Sequence, residues 1–449
     1  MPYIANTDED RREMLAAIGV DSIDTLWQHA GVDMPAPDLS AIPEGRSEYE
    51  VNRYLAGLAD RNAHHLTCFI GSGFYDHIIP AAVAEITGRG EFYTSYTPYQ
   101  PEASQGTLQA IYEYQSAICR LTGMEVANAS LYDGGTALFE SIMMAMRLNH
   151  RRKAVLAGTV SPIYREMIRC YSQNLDIELV VIEPPDDGTS SNIDALKAAL
   201  DDTTTCLVVQ YPNVFGTLED WEELVEYAHQ RGIVAACSVY PTALSLARTP
   251  GEMGFDILTG EGQSLGIDLS FGGPYLGFMA TTKKFMRKMP GRIVGRTVDT
   301  EGRDGFVLTL QAREQHIRRE NAMSNICTNE GLCALAAVVY LSCIGRSGFE
   351  EVGRLCAAKA CFAREQLLAI PGIEPVDQDG FFNEFVVRLP IDAAELVGLM
   401  IDKGFAAGFP LGRYYPKRCN DLLVAVTEKR TREEIRALAV AMEAALTLG

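Results

Sequence analysis

The run Ile233-Val234-Ala235-Ala236-Cys237-Ser238-Val239-Tyr240 decides the fold. Its first five residues are apolar without alternation, as expected of a strand buried on both faces. The same character recurs upstream at Ala154-Val155-Leu156-Ala157, at Glu178 to Ile182 and at Cys206 to Gln210. Between these runs, Pro162 to Cys170, Asp194 to Leu200 and Asp220 to His229 have helical spacing. Downstream, Phe255 to Gly260 and Leu276 to Ala280 read as two further strands. Helices that alternate with wholly apolar strands predict an α/β fold, with a mostly parallel sheet covered by helices on both faces.

On the N-terminal side, Leu108, Ile111 and Ile118 share a helix face, and the turn Asp133-Gly134-Gly135 leads into a helix from Thr136. Thr7 caps a first helix that Gly19 stops, and Asp21 to Ala30 repeats the device. After the Pro-rich link Met34-Pro35-Ala36-Pro37, Ser47 and Glu50 form a capping box for a third helix. The pattern changes near Phe306. An Arg-rich helix is expected over Arg313 to Glu320, then an apolar helix over Cys333 to Gly345, an alternating strand at Glu384 to Leu389 and a last helix from Thr431. The expected organisation is an N-terminal helical arm and link (1–60), a large α/β domain (61–320) and a small α+β domain (321–449).

With 449 residues, 47% of them hydrophobic and 22% charged, the chain is neither disordered nor fibrous. Its formal charge of −20 repels phosphate backbones and anionic lipids, so neither nucleic acid nor membrane is expected as a partner. The apolar stretch Cys333 to Gly345 is shorter than the roughly 20 residues of a membrane span. The start is acidic and carries no basic leader, which points to the cytoplasm. Eleven cysteines are scattered with no C-x-x-C, so neither a disulfide framework nor a metal site is expected.

Several segments carry chemistry. Gly134, Gly135 and Thr136 open a helix, where free N–H groups, a hydroxyl and the positive helix end can cradle a phosphate or form an ordinary helix start. The loop from Tyr93 to Gly106 holds Tyr93, Tyr96, Tyr99 and Gln100 and is bent by Pro98 and Pro101. Ring hydroxyls on a rigid loop suit a small polar substrate or a subunit interface equally. Cys68 to Tyr75, preceded by His64 and His65, is read the same way. The two adjacent histidines lack the spacing of helical metal ligands. The basic run Lys283 to Arg292 reads as a solvated surface or a docking face for an acidic partner.

The phrases TSYTPYQPEASQG (94–106), ANASLYDGGTA (127–137), VVQYPNVFGTLED (208–220), GEGQSLGIDLSFGGPYLGF (260–278) and SNICTNEGLCAL (324–335) resemble the P-protein of the glycine cleavage system. The likeness is to its N-terminal half, in many bacteria a separate polypeptide that works with a second, subunit 2. It departs at Arg318 to Met323, where the family commonly has Lys-Ala-Thr after the Glu. The resemblance implies the fold type I architecture of pyridoxal-phosphate enzymes. It further implies glycine decarboxylation (glycine dehydrogenase activity), with the aminomethyl group passed to the lipoyl arm of H-protein, and two copies of each subunit.

Such chemistry needs a Lys amine for a Schiff base and usually an Asp facing the pyridinium nitrogen. The strand expected to end in that Asp ends here in Cys237 and Ser238. No lysine lies between Lys197 and Lys283, and Gln263 or a neighbour stands nearest the anchoring position. The chain is therefore expected not to hold pyridoxal phosphate covalently; by the resemblance, subunit 2 does. The groups expected to line a shared pocket or channel are Tyr93, Tyr96, Tyr99 and Gln100, with His64 and Tyr75. The alternatives are an inert scaffold for subunit 2, or a self-sufficient enzyme anchored through Lys283 or Lys284.

Overall fold

Residues 5–32, 38–270, 272–378 and 380–448 are described by the computed structural model, so the link Met34 to Pro37 lies outside the described residues. The chain divides into two units, 1–64 and 65–449. In the first, Asp8–Ile18 and Glu48–Ala59 each start at a capping box, on Thr7 with Asp10 and on Ser47 with Glu50. Gly19, at φ 84°, takes the left-handed cap that stops the first helix. Ile23–His29 lies between them, capped by Ser22.

The second unit is built on a seven-stranded sheet in the order Val126–Ala127, Gly277–Thr281, Ile257–Glu261, Val234–Val239, Thr204–Tyr211, Lys153–Ala157, Glu178–Ile182. The five strands from Ile257–Glu261 to Glu178–Ile182 pair in parallel. Gly277–Thr281 and Val126–Ala127 close that edge antiparallel. Every residue of Val234–Val239 and of Ile257–Glu261 is buried, because helices cover both faces. Helices Gln105–Thr122, Gly134–Asn149, Pro162–Ser172, Ile193–Ala199 and Glu222–His229 supply that cover.

A four-stranded antiparallel sheet, Glu374–Pro375, Glu384–Arg388, Asp421–Ala425 and Phe409–Pro410, carries a second core with Arg432–Leu448 and Ala393–Ile401. The long helix Gly331–Leu368 feeds both cores and breaks at Gly345, which has φ 61° and ψ −175°. By length and a mean hydropathy of 1.6 this helix matches a membrane span, but half of that window is buried inside the protein. Beyond the break its buried positions Phe349, Gly353, Cys356, Ala360, Ala363 and Leu367 recur every three or four residues, as a one-sided helix requires.

Two expectations are corrected. Arg313 to Glu320 is not one helix but three short turns, Gln311–Arg313, Gln315–Arg318 and Arg319–Asn321. Arg319 at φ 52° interrupts the helical path, and the Arg313 guanidinium is held by the carbonyls of Met289 and Gly291. The segment before it forms an antiparallel hairpin, Ile293–Val298 with Asp304–Thr309, that charged Arg296, Arg303 and Asp304 conceal in the sequence. Glu384–Arg388, expected to bury one face, is buried through Glu384 to Val387.

Candidate active site

In an open α/β sheet, ligands sit beyond the carboxyl ends of the parallel strands. Glu261 ends its strand there and is 5% exposed. Its carboxylate accepts three backbone N–H groups, from Gly134 at 2.9 Å, Gln263 at 3.0 Å and Leu276 at 2.9 Å. Burial pushes its pKa up to about 7, against those hydrogen bonds, and the nearby Asp133 adds to the rise. Asp133 caps the helix Gly134–Asn149 and takes both the N–H and the hydroxyl of Thr136, each at 2.8 Å. The donors that Gly134 and Thr136 would offer a phosphate are thus held by the chain's own carboxylates. Nor is there slack around the turn: a methyl group on Gly134 would fall 2.5 Å from the Tyr164 hydroxyl oxygen, and one on Gly135 2.5 Å from Met167 Sδ.

Gln263 is 1% exposed, and its amide is fully used. Its oxygen accepts the Tyr75 N–H at 2.9 Å, while its nitrogen donates to the carbonyls of Tyr75 at 3.0 Å and Ile267 at 2.7 Å. On the adjacent strand, Cys237 and Ser238 are buried, and burial raises the Cys237 thiol well above its ordinary value.

Tyr75 is buried. Its hydroxyl donates to Glu384 at 2.6 Å, and its ring stacks on Tyr240 at 4.1 Å. The other Glu384 oxygen accepts the Ser72 N–H at 2.6 Å, and burial pushes this carboxyl up to about 7. Beside them His77 joins Glu428 at 2.7 Å and the Tyr240 hydroxyl at 2.5 Å, and the Cys356 thiol donates to Glu428. His77, Cys356 and Glu428 converge within 4.8 Å, and they partner one another there. Tyr75 therefore belongs to this interior network and not to an exposed wall. His64 is exposed and is the last residue of the first unit, 1–64.

The hydroxyl-rich loop is the exposed part of the candidate set. Tyr93 ends a short helix, Gly90–Tyr93, and Pro98 is buried, which anchors the bend. Tyr93, Tyr96 and Tyr99 are 67%, 78% and 47% exposed, and Gln100 is exposed as well. Thr97 and Thr328 share a hydrogen bond of 3.1 Å that ties the loop to the segment before Gly331–Leu368. Between these segments Ser95, Tyr96, Pro98, Thr328, Asn329 and Glu330 line a cavity of about 260 Å³. Burial raises the Glu330 carboxyl, with Asp133 as the second cause.

Lys283 and Lys284 lie elsewhere. The strand Gly277–Thr281 runs antiparallel, with Gly277 beside Glu261 and Thr281 beside Ile257. Both lysines therefore follow the end of the sheet remote from Glu261, and Lys283 faces Glu125 at 3.7 Å. The carboxylates at this end of the sheet and in the adjoining network that the sequence reading did not single out are Glu261, Asp133 and Glu384. An acid closing a buried strand, as in Gly260-Glu261-Gly262, was the one available signal.

The family described as Glycine cleavage system P-protein matches residues 1–442. The chain belongs to that family. It is 53% identical over 446 residues to the probable glycine dehydrogenase (decarboxylating) subunit 1 of Geotalea uraniireducens (strain Rf4), covering 99% of this chain and 100% of the relative. A protein of the same description from Nitratidesulfovibrio vulgaris (strain Hildenborough) is 51% identical, with 98% of each chain covered. A crystal structure of glycine decarboxylase (P-protein) of the glycine cleavage system, in inhibitor-bound form, superposes with a TM-score of 0.92 at 40% identity, covering 99% of this chain and 100% of that one. A sphingosine-1-phosphate lyase at 14% identity and a TM-score of 0.66 shares the fold alone. The architecture is fold type I of the pyridoxal-phosphate enzymes, as the sheet order indicates.

The residues of this P-protein family chain do not fit pyridoxal phosphate. Gln263, expected at or beside the anchoring position, carries an amide and no amine, uncharged Cys237 and Ser238 lie on the strand expected to carry an acid, and Glu261 and Asp133 take the Gly134 and Thr136 donors of the turn. A phosphate there would meet two acidic side chains and find those N–H groups engaged.

Proposed function

We propose that this chain is the subunit of glycine decarboxylase that does not carry the lysine, and that it completes an active site whose pyridoxal phosphate is held by its partner, glycine dehydrogenase (decarboxylating) subunit 2. The observation that carries the reading is Gln263, an amide with every hydrogen-bonding group engaged, at or beside the expected anchoring position. A crevice closed in this way leaves the exposed loop as the part of the chain able to serve chemistry. The cofactor, when bound by the partner, supplies the electron sink for loss of carbon dioxide. Tyr93, Tyr96, Tyr99 and Gln100 then present polar ends on a bend fixed by buried Pro98, orienting glycine's carboxylate, excluding water and framing the approach of the lipoyl arm of H-protein. Two copies of each subunit in the cytoplasm complete the proposal.

The remote, exposed position of Lys283 and Lys284 favours this reading over a self-sufficient enzyme. Against a pure scaffold stands the concentration of hydroxyl and amide groups in one exposed bend. Tyr96→Phe removes one hydroxyl and no packing. In the enzyme reconstituted with subunit 2 and lipoylated H-protein, it is expected to lower kcat/KM for glycine by about tenfold, the equivalent of one hydrogen bond of about 1.4 kcal/mol. Unchanged turnover and glycine affinity would remove Tyr96 from the site.

A further inference from the structure

A second, deeper layer stands under the exposed tyrosine loop. Arg292 is 3% exposed and cannot reach a ligand itself. Its Nη2 donates to the Tyr99 hydroxyl at 2.9 Å, and its guanidinium carbon lies 5.4 Å from the centre of the Tyr99 ring. Tyr99 is half exposed, and its hydroxyl end is the part that meets the buried guanidinium. Glu314, also buried, faces Arg292 with Nε to Oε2 at 3.3 Å, an ion pair not aligned as a hydrogen bond. Nε and Nη1 of Arg292 and both Glu314 oxygens have no hydrogen-bond partner among the described residues. His316, at the rim, meets the Tyr99 ring edge-on at 5.5 Å and Glu314 at 3.6 Å.

The backbone here is fixed as well. The Arg292 carbonyl accepts the Ala129 N–H at 2.8 Å, the Pro290 carbonyl accepts from Asn128, and the Gly291 carbonyl accepts from Arg313. A buried, incompletely paired guanidinium is costly to the fold. Among the described residues, the Tyr99 hydroxyl is the one group with which it makes an aligned side-chain hydrogen bond.

We propose that Arg292 is a positioning residue that fixes the Tyr99 hydroxyl as a hydrogen-bond donor for the carboxylate of an amino-acid substrate. A hydroxyl that accepts from a guanidinium has its own hydrogen left to give, and hydrogen bonds in series polarise one another. Charge assistance from Arg292 therefore makes the O–H a donor suited to an anion. Glu314 balances the buried charge, so that Arg292 acts through Tyr99 and not as an open anion site.

The inference rests on the proposed role of the tyrosine loop, and a double-mutant cycle separates the two. In the enzyme reconstituted with subunit 2, Tyr99→Phe and Arg292→Gln are each expected to raise KM for glycine about tenfold with kcat changed less than twofold. Arg292→Gln in the Tyr99→Phe background is expected to add nothing. A merely structural arginine would instead lower kcat and kcat/KM in both backgrounds, and additive losses would overturn the proposal. So would an Arg292→Gln enzyme with unchanged KM. An inert Tyr99→Phe would overturn both the inference and the part of the loop reading that concerns Tyr99, whereas Tyr96→Phe reports on the loop independently. Should Arg292→Gln fail to fold, Arg292→Lys keeps a charge beside Glu314 but not the fork that also reaches Tyr99. It is expected to show the same rise in KM, and a normal KM there contradicts the proposal.

Discussion

Gln263→Lys is expected to destabilise the chain by about 3 kcal/mol or more and to leave it without bound pyridoxal phosphate. The amide donates to the carbonyls of Tyr75 and Ile267 and accepts the Tyr75 N–H, at a position 1% exposed. An ammonium can replace the donors but not the acceptor, so it strands the Tyr75 N–H and brings a charge into a dry interior. It must either keep that charge at a high desolvation cost or lose its proton. Restoring the amine does not restore the cofactor site, because Glu261 still holds the Gly134 N–H and Asp133 still holds Thr136. Denaturant unfolding measures the first effect and the visible absorption of purified protein incubated with pyridoxal phosphate measures the second. A stable, yellow Gln263→Lys protein would show that the missing lysine alone separates this crevice from a working one.

Glu384→Gln is expected to act in the opposite direction, increasingly as pH rises from about 4.5 through about 7. The carboxyl is enclosed, accepts from the Ser72 N–H and the Tyr75 hydroxyl, and is pushed up to about 7 from 4.5 by burial. Between those values the folded chain binds this proton and the unfolded chain has lost it. Stability therefore falls as pH rises from about 4.5 through about 7, and changes little from this group beyond that. The whole window corresponds to a cost on the order of 3 kcal/mol at pH 8. Glutamine has no proton to lose. Its oxygen can accept from Ser72 while its nitrogen donates to the Tyr75 oxygen, so both contacts survive. Apparent stability at pH 8 is expected to exceed that of the wild type, and the difference to shrink toward pH 5. Glu261, which titrates in the same sense, is present in both proteins and cancels. A constant difference across the range would mean that Glu384 is charged in the fold throughout.

What the sequence disclosed and what it hid follow from how local each signal is. Val234–Val239 and Thr204–Tyr211 stood out because strands buried on both faces admit almost no polar residue. The capping boxes at Thr7 and Ser47 lie within three residues of their partners and were equally plain. The bend at Tyr93 to Gly106 was visible through its prolines. Long-range partners were not: Arg292 and Tyr99 are 193 positions apart, and Glu384 meets Ser72 across 312. Nothing near Glu384 in the sequence announces that a loop carrying Gly71 and Ser72 covers its outer face, where a methyl on Gly71 would overlap the carboxylate. The same holds for Glu261. The absence of a lysine could be counted, but only the folded chain shows that carboxylates have taken the N–H groups a phosphate would use.

The central claim is that competence is divided between two chains, and the most direct measurement is glycine–bicarbonate exchange by this chain, by subunit 2 and by their mixture, each with lipoylated H-protein. Activity that arises only in the mixture, with the cofactor recovered on subunit 2, is the predicted result. Exchange by this chain alone would contradict the account, and full exchange by subunit 2 alone would reduce the tyrosine loop to a scaffold.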